Sequence, residues 1–272
     1  MSIKADVGGL LGALAPLMAG PPQPDDIIGG AFRDAMQSLA LFDHVVVFAY
    51  RGQAKPVDLY STFDADSYRT FVSLYQAGPY LLDPFFHAAL AGKVGLWRMR
   101  ELAPDRFFSS DYFRTYYSQT ELAEEIGFFV PVTASVTVVV SLMRAMTRRV
   151  FTRVEMGLLR AAEPFVHSLV QTFWGAAARF GAEGDDAGKP QSTDPGRDQQ
   201  HVWSVGNLTT RETLIVDLVL RGHSSEAVGQ QLGISTGTVK VHRRNIYRKL
   251  NISSQTQLLS LYLQAHGIEL AR

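Results

Sequence analysis

The chain has 272 residues, 26 Lys and Arg against 26 Asp and Glu, and 46% hydrophobic residues, the profile of a globular protein long enough for two domains. It contains no cysteine, which excludes a disulfide framework and thiolate metal sites and fits a reducing interior. The zero net charge conceals an asymmetry, because residues 206–272 carry eight Lys or Arg against four acids and leave 18 against 22 for the rest.

The first twenty residues, MSIKADVGGLLGALAPLMAG, hold a short apolar run behind a single lysine. Asp6 interrupts its start, so the segment reads as a surface helix packed on its own domain or a partner and not as a secretory signal. Beyond Pro21, Pro22 and Pro24 the spacing predicts a helix over 25–41. Residues 44–50 are a valine-rich strand, 51–56 a turn and 57–62 a second strand, together a hairpin. Asp64 or Asp66 caps a helix to about residue 76, ended by Gly78-Pro79, and Asp83-Pro84 opens another with proline at its first position. A short strand over 96–99 and an aromatic-rich helix over 110–118 follow. Residues 127–132 and 135–144 give two more strands, the last long enough to be central. Its apolar run is too short to cross a bilayer and too rich in valine to be other than a strand. Thr152 and Glu155, at capping-box spacing, open a long helix towards residue 179 that Pro164 interrupts.

The order β-β-α-α-β-α-β-β-α predicts an α+β domain: one mainly antiparallel sheet flanked by helices, the layout of PAS and GAF sensor domains. Such sheets enclose small ligands between one face and its covering helices. Residues 181–205, opening with the polar stretch GAEGDDAGKPQSTDPGRDQQ, are expected to be a flexible linker between domains at 1–180 and 206–272.

The C-terminal segment predicts four helices and no strand. Thr209 and Glu212 form a capping-box pair ahead of a stripe of Leu214, Ile215, Leu218 and Val219, closed by Gly222. Ser224 caps the next helix, with Val228 and Leu232 on its apolar face and Gly233 ending it. Ser235 caps a longer helix on which Val239, Ile246 and Leu250 face the core, turning Lys240, Val241, Arg244 and Arg248 outward together. Between Ser235 and Leu250 stand five Lys or Arg and no acid. Asn251 tolerates the left-handed conformation that ends this helix. A last helix from Ser254 carries Leu258, Leu259 and Leu261. A charge run alone is usually a solvated face, but caps, turn and core pattern in register favour a helix lying in the DNA major groove. The aromatic platform of RNA binders is missing.

The stretches LTTRE, LVLRGHSSEAVGQQLGIS, TVKVHRRNIYRKL and TQLLSLYL resemble the helix-turn-helix DNA-binding domain of the LuxR family of transcription regulators, over residues 207–267. The resemblance implies that residues after the Thr-Val pair enter the major groove. Lys240 and Arg244 would then donate to guanine edges and Val241 touch a thymine methyl. Thr236, Thr238, Arg243 and Arg248 are placed for phosphates. Leu214 stands where the family has an acid, Gly229 where it has alanine and Asn251 where it has glycine. Gly229 is expected to weaken its helix by roughly 1 kcal/mol.

In the N-terminal half, Phe71 and Tyr75, one helical turn apart, precede Asp83-Pro84 and Trp97, a spacing that resembles the acyl-homoserine-lactone receptors of the same family. That resemblance implies that Asp83 accepts from a ligand amide while Tyr75 and Trp97 enclose the head group. Phe71 replaces a tryptophan whose indole donates to the lactone carbonyl, and phenylalanine has no donor. An effector that brings an amine or amide to Asp83 is therefore expected at least as readily as a lactone. Tyr60, Tyr112 and Ser141 complete the candidate ligand set. The same residues also have plain structural readings, Asp83 as a helix cap and the aromatics as core packing.

The sequence has no phosphate-binding Gly-Lys-Ser/Thr loop, no Gly-x-Ser-x-Gly elbow and no paired histidines at helical spacing, and no catalytic residue, cofactor or metal ligand is assigned. The whole reads as a cytoplasmic homodimer that binds a two-fold operator in double-stranded DNA and answers a small-molecule effector, with no membrane partner. Two alternatives stay open: a ligand-independent regulator of this type, and an enzyme domain fused to a DNA-binding one.

Overall fold

Valine and its β-branched relatives set the centre of the first half. The computed structural model describes residues 6–20, 24–115, 117–175 and 207–265. Its strands are β1 (His44–Arg51), β2 (Val57–Ser61), β3 (Gly95–Arg98), β4 (Leu122–Pro131) and β5 (Val136–Ala145). They form one sheet in the order β2-β1-β5-β4-β3, with every pairing antiparallel. β5 is central and buried along all but its last residue, as a strand covered on both faces must be. In chain order the helices of this half are α1 (Val7–Leu14), α2 (Asp25–Gln37), α3 (Ala65–Tyr68), α4 (Pro84–Leu90), α5 (Met99–Leu102), α6 (Asp111–Thr115), α7 (Arg153–Ala161) and α8 (Glu163–Trp174). Near the C-terminus follow α9 (Thr210–Leu220), α10 (Ser225–Leu232), α11 (Thr236–Lys249) and α12 (Gln255–Ala265). None of the helices among the described residues is long and apolar enough to cross a membrane.

One sheet face presents Val45, Val47, Ile126, Phe128, Val138, Val140 and Leu142 to Ile28, Phe32 and Met36 of α2 and to Leu159, Val166 and Trp174 of α7 and α8. The Trp174 indole donates to Asp25 at 2.7 Å and fixes the end of α8 against the start of α2. Of the two placements the sequence leaves open for its first segment, own domain or partner, α1 takes the first, with Leu10, Ala13 and Leu14 against this core while Leu11 stays exposed. On the opposite face Phe85 meets Phe129 edge-on at 5.2 Å and Phe86 meets Tyr50 at 5.8 Å. Glycine at position 127 permits this, because a Cβ there would lie 2.8 Å from the Phe85 ring.

The Thr152–Glu155 capping box forms, and Glu155 also accepts from Arg144 at 2.5 Å. Arg144 donates as well to the carbonyls of Leu41 and Arg149, so this polar residue of the valine strand anchors loops. Several expected bounds shift. The helix from residue 25 ends at Gln37, and the one after Asp64 is a single α turn followed by a π turn over Arg69–Leu74. The strand expected from residue 127 begins at Leu122, where buried Glu124 accepts from Arg98 and from the Phe151 amide. The helix expected over 110–118 is α6 followed by a 3-10 turn, Tyr117–Thr120. α7 and α8 break at Ala162, ahead of Pro164, and residues 176–179 lie outside the described residues, as does the expected linker.

Backbone contacts divide the chain into two compact units. The first, Met1–Ser73, Phe85–Leu102 and Glu121–Asp185, holds the sheet. The second, Leu74–Pro84, Ala103–Thr120 and Asp186–Arg272, holds α6 and the four C-terminal helices. Its core draws Ile215, Val216 and Val219 from α9, Val228 from α10, Val239 and Ile246 from α11, and Leu258, Leu259, Tyr262 and Leu263 from α12. Leu214, Leu250 and Leu261, expected in this core, are half-buried.

Candidate functional site

Each helix of the C-terminal set is started by the side chain the sequence nominates. Thr209 accepts from the Glu212 amide and Glu212 returns the bond, Ser224 accepts from Ala227, and Ser235 accepts from Thr238. Gly233 ends α10 at φ +64°, and Asn251 follows α11 at φ +52°. Gly233 turns the chain from α10 into α11, and Asn251 turns it out of α11. Val239 and Ile246 face inward, so Lys240, Val241, Arg244 and Arg248 form an exposed stripe, with Val241 46% exposed. Residues 240 and 248 are about 12 Å apart along a helix rising 1.5 Å per residue, a length that suits a groove.

The five cations of α11 divide into two groups. Lys240 and Arg244 have no hydrogen-bond or ion-pair partner among the described residues, and Arg248 touches only the Asn245 side chain, at 3.3 Å. Arg243, expected at a phosphate, is half-buried and donates to Ser225, Tyr247 and Gln255 at 3.2–3.3 Å, so it ties α10, α11 and α12 together. Lys249 donates to Glu212 at 2.6 Å. Burial opposes ionisation of Glu212, but the Lys249 ammonium and the Thr209 amide and hydroxyl outweigh it and hold the carboxyl below its ordinary value. Thr238 is exposed, with its hydroxyl 2.8 Å from that of Ser235, and Thr236 is half-buried in the first turn of α11.

The ligand candidates fall into separate groups. Trp97, Gly127, Ser141 and Val46 lie in one row across the sheet, paired strand to strand. Their chain neighbours Leu96, Val140 and Leu142 are in the α2-side core, so Trp97 and Ser141 share the opposite face. The Trp97 indole donates to the Val94 carbonyl at 2.8 Å, and the Lys93 ammonium lies 4.6 Å from its ring centre. Phe71 stacks on Phe63 at 4.4 Å. In the second unit the Tyr75 hydroxyl donates to buried Asp83 at 2.7 Å, and Tyr112 packs at a tilt on Phe107, 6.0 Å between ring centres. Tyr60 needs correction as a partner of Trp97 and Ser141. A bulge opposite Val47 and Phe48 turns it to the α2 side, where its ring covers Gly29 so closely that a Cβ there would lie 2.2 Å away.

The sequence profile of the bacterial regulatory proteins of the luxR family matches residues 206–262. A protein of Aeromonas salmonicida, named as an HTH-type transcriptional regulator in the exeN 3′ region, is 34% identical over 185 residues, which is 66% of this chain and 93% of that relative. The chain belongs to the luxR family. The nitrate/nitrite response regulator protein NarP of Escherichia coli (strain K12) is 40% identical over 62 residues, but this chain spans 29% of its length. Among solved structures, the VqsR LBD domain from Pseudomonas aeruginosa is similar at 22% identity and TM-score 0.48, over 61% of this chain and 92% of that one.

This luxR-family regulator therefore binds DNA through its C-terminal helix-turn-helix, α10 and α11. Beside that pair is a polar cleft of about 540 Å³, lined by Lys240, Arg243, Ser224 and His223 together with Asp105 and Arg106. Burial, with Arg221 nearby, pushes the His223 imidazole below its ordinary value, against the opposing pull of Asp105. The sequence reading missed Asp105, because it lies 119 residues from the amide it binds and no local pattern marks it.

Proposed function

We propose that this regulator reads a two-fold operator as a homodimer, with Lys240, Val241 and Arg244 at base edges and Thr236, Thr238 and Arg248 at phosphates. The supporting observation is the exposed stripe of Lys240 and Arg244, without hydrogen-bond or ion-pair partners among the described residues, on a helix where Arg243 and Lys249 are engaged within the protein. A single α11 covers one half-site, and two-fold proteins match two-fold operators. Residues 206–272 carry this role, 181–205 serve as the tether, and 1–180 carry dimerisation and the response to an effector in the cytoplasm. Footprinting on genomic fragments tests the reading: protected half-sites about one helical turn apart support it, and protection of single isolated half-sites contradicts the dimer.

For the effector, the Asp83 carboxylate is the polar anchor, already accepting one bond from Tyr75 and suited to an amine or amide donor. Ser141 and Trp97, on the sheet face of the first unit, form a separate candidate set. A second reading, regulation without an effector, is favoured by the same bonds: the Tyr75 and Trp97 donors are satisfied within the protein, and Phe85 lies tightly over Gly127. Thermal melting with a panel of amine- and amide-bearing metabolites separates the two. A binder raises the midpoint in a concentration-dependent way, and the rise shrinks in Asp83→Asn if that carboxylate is the anchor. A flat response across the panel supports the effector-free reading.

A further inference from the structure

Within the second compact unit, the turn between α9 and α10 is seated on the backbone of Asp105, Arg106 and Phe107. The Arg106 amide donates to the Gly222 carbonyl at 2.9 Å, and the Ser224 amide donates to Oδ1 of Asp105 at 2.9 Å. Gly222 has φ +98°, and a Cβ there would lie 2.7 Å from the Phe107 Cα, so the two backbones are in direct contact. Phe107 is itself fully buried, with Tyr112, Phe113 and Tyr117 around it, which anchors the segment. The exposed Asp105 carboxylate thus sits at the cap residue of α10, on the cleft that Lys240 and Arg243 also line.

The first helix of a helix-turn-helix pair crosses the DNA backbone, and helix N-termini are among the groups that contact phosphate. A carboxylate bound there has the charge and acceptor geometry of a phosphate oxygen. We infer that Asp105 is an internal stand-in for a DNA phosphate: the Asp105–Phe107 segment latches the start of α10, and duplex DNA competes with the latch for it. Because such coupling is reciprocal, whatever loosens the latch tightens DNA binding. The inference rests on the DNA-binding reading of α10 and α11.

The test is fluorescence anisotropy of the full chain on a mixed-sequence duplex in dilute salt, comparing the wild type with Asp105→Ala, Asp105→Asn and Glu226→Ala. Glu226 is an exposed acid of the same cleft, and it controls for simple loss of negative charge. The latch predicts that Asp105→Ala binds roughly fivefold tighter, with Asp105→Asn between it and the wild type and Glu226→Ala gaining much less. Melting curves establish that the variants are folded. Unchanged or weaker binding by folded Asp105→Ala, or an equal gain in Glu226→Ala, overturns the latch. If neither the wild type nor Asp105→Ala binds duplex, the DNA-binding reading falls and the latch with it. Binding by Asp105→Ala alone is the strongest support for the latch.

Discussion

The Lys249 ammonium donates to Oε2 of Glu212 at 2.6 Å and so ties the last turn of α11 to the capping box that starts α9. One carboxylate serves as helix cap, ion-pair partner and buried acceptor at once, which makes the geometry of the reading helix depend on its ionisation. Replacing Lys249 with methionine leaves a buried carboxylate without its cation and should destabilise the second unit by about 1–3 kcal/mol at neutral pH. The folded carboxyl lies below its ordinary value of 4.5, so its stabilisation is fully present above that pH and lost as pH falls through the folded value. Urea midpoints of wild type and Lys249→Met should therefore converge in acid. A gap that stays constant down to low pH would show that Glu212 is not the cause.

Gly229 reverses an expectation drawn from helix propensity. Alanine at this position should strengthen α10 as an isolated helix, yet its Cβ would lie 2.7 Å from the Ile234 carbonyl oxygen, backbone that cannot rotate away. The same turn is closed by the Ile234 amide donating to the Gly229 carbonyl at 3.0 Å. Gly229→Ala is expected to destabilise by about 1–3 kcal/mol, the cost of overpacking. A raised denaturation midpoint would show that propensity wins.

Arg243 and Arg244 are neighbours in sequence with opposite expected behaviour. Arg243→Ala removes bonds to α10 and α12 and to Tyr247 on its own helix and should lower the melting midpoint by several degrees, weakening DNA binding alike on every sequence. Arg244→Ala should leave the midpoint unchanged, because its side chain is exposed and has no partner among the described residues. Parallel melting curves for the two variants would contradict the division of roles.

What the sequence made legible was local. The caps at Thr152, Thr209, Ser224 and Ser235 form as their spacing predicts, because each depends on a side chain and an amide three residues apart. The sheet was legible from valine runs and turn residues, and the central place of β5 from its length, while the order β2-β1-β5-β4-β3 came only from the fold. What lay beyond reach was set by distant contacts or by one-residue shifts. A bulge decides which face Tyr60 occupies, three separate helices decide that Arg243 is a brace, and Asp105 finds its partner 119 residues away. Asp83 was legible as an acid before proline, but only the fold supplies Tyr75 as the donor to its carboxylate.

The most direct test is base preference at the operator. Binding constants of wild type, Lys240→Ala, Arg244→Ala and Arg248→Ala should be measured on the footprinted site and its single-base variants across a salt series. The account predicts that Lys240→Ala and Arg244→Ala each lose about 1–3 kcal/mol of discrimination at particular base pairs. Arg248→Ala should weaken all sequences alike and reduce the salt slope by about 1. Undiminished discrimination in both Lys240→Ala and Arg244→Ala would contradict it.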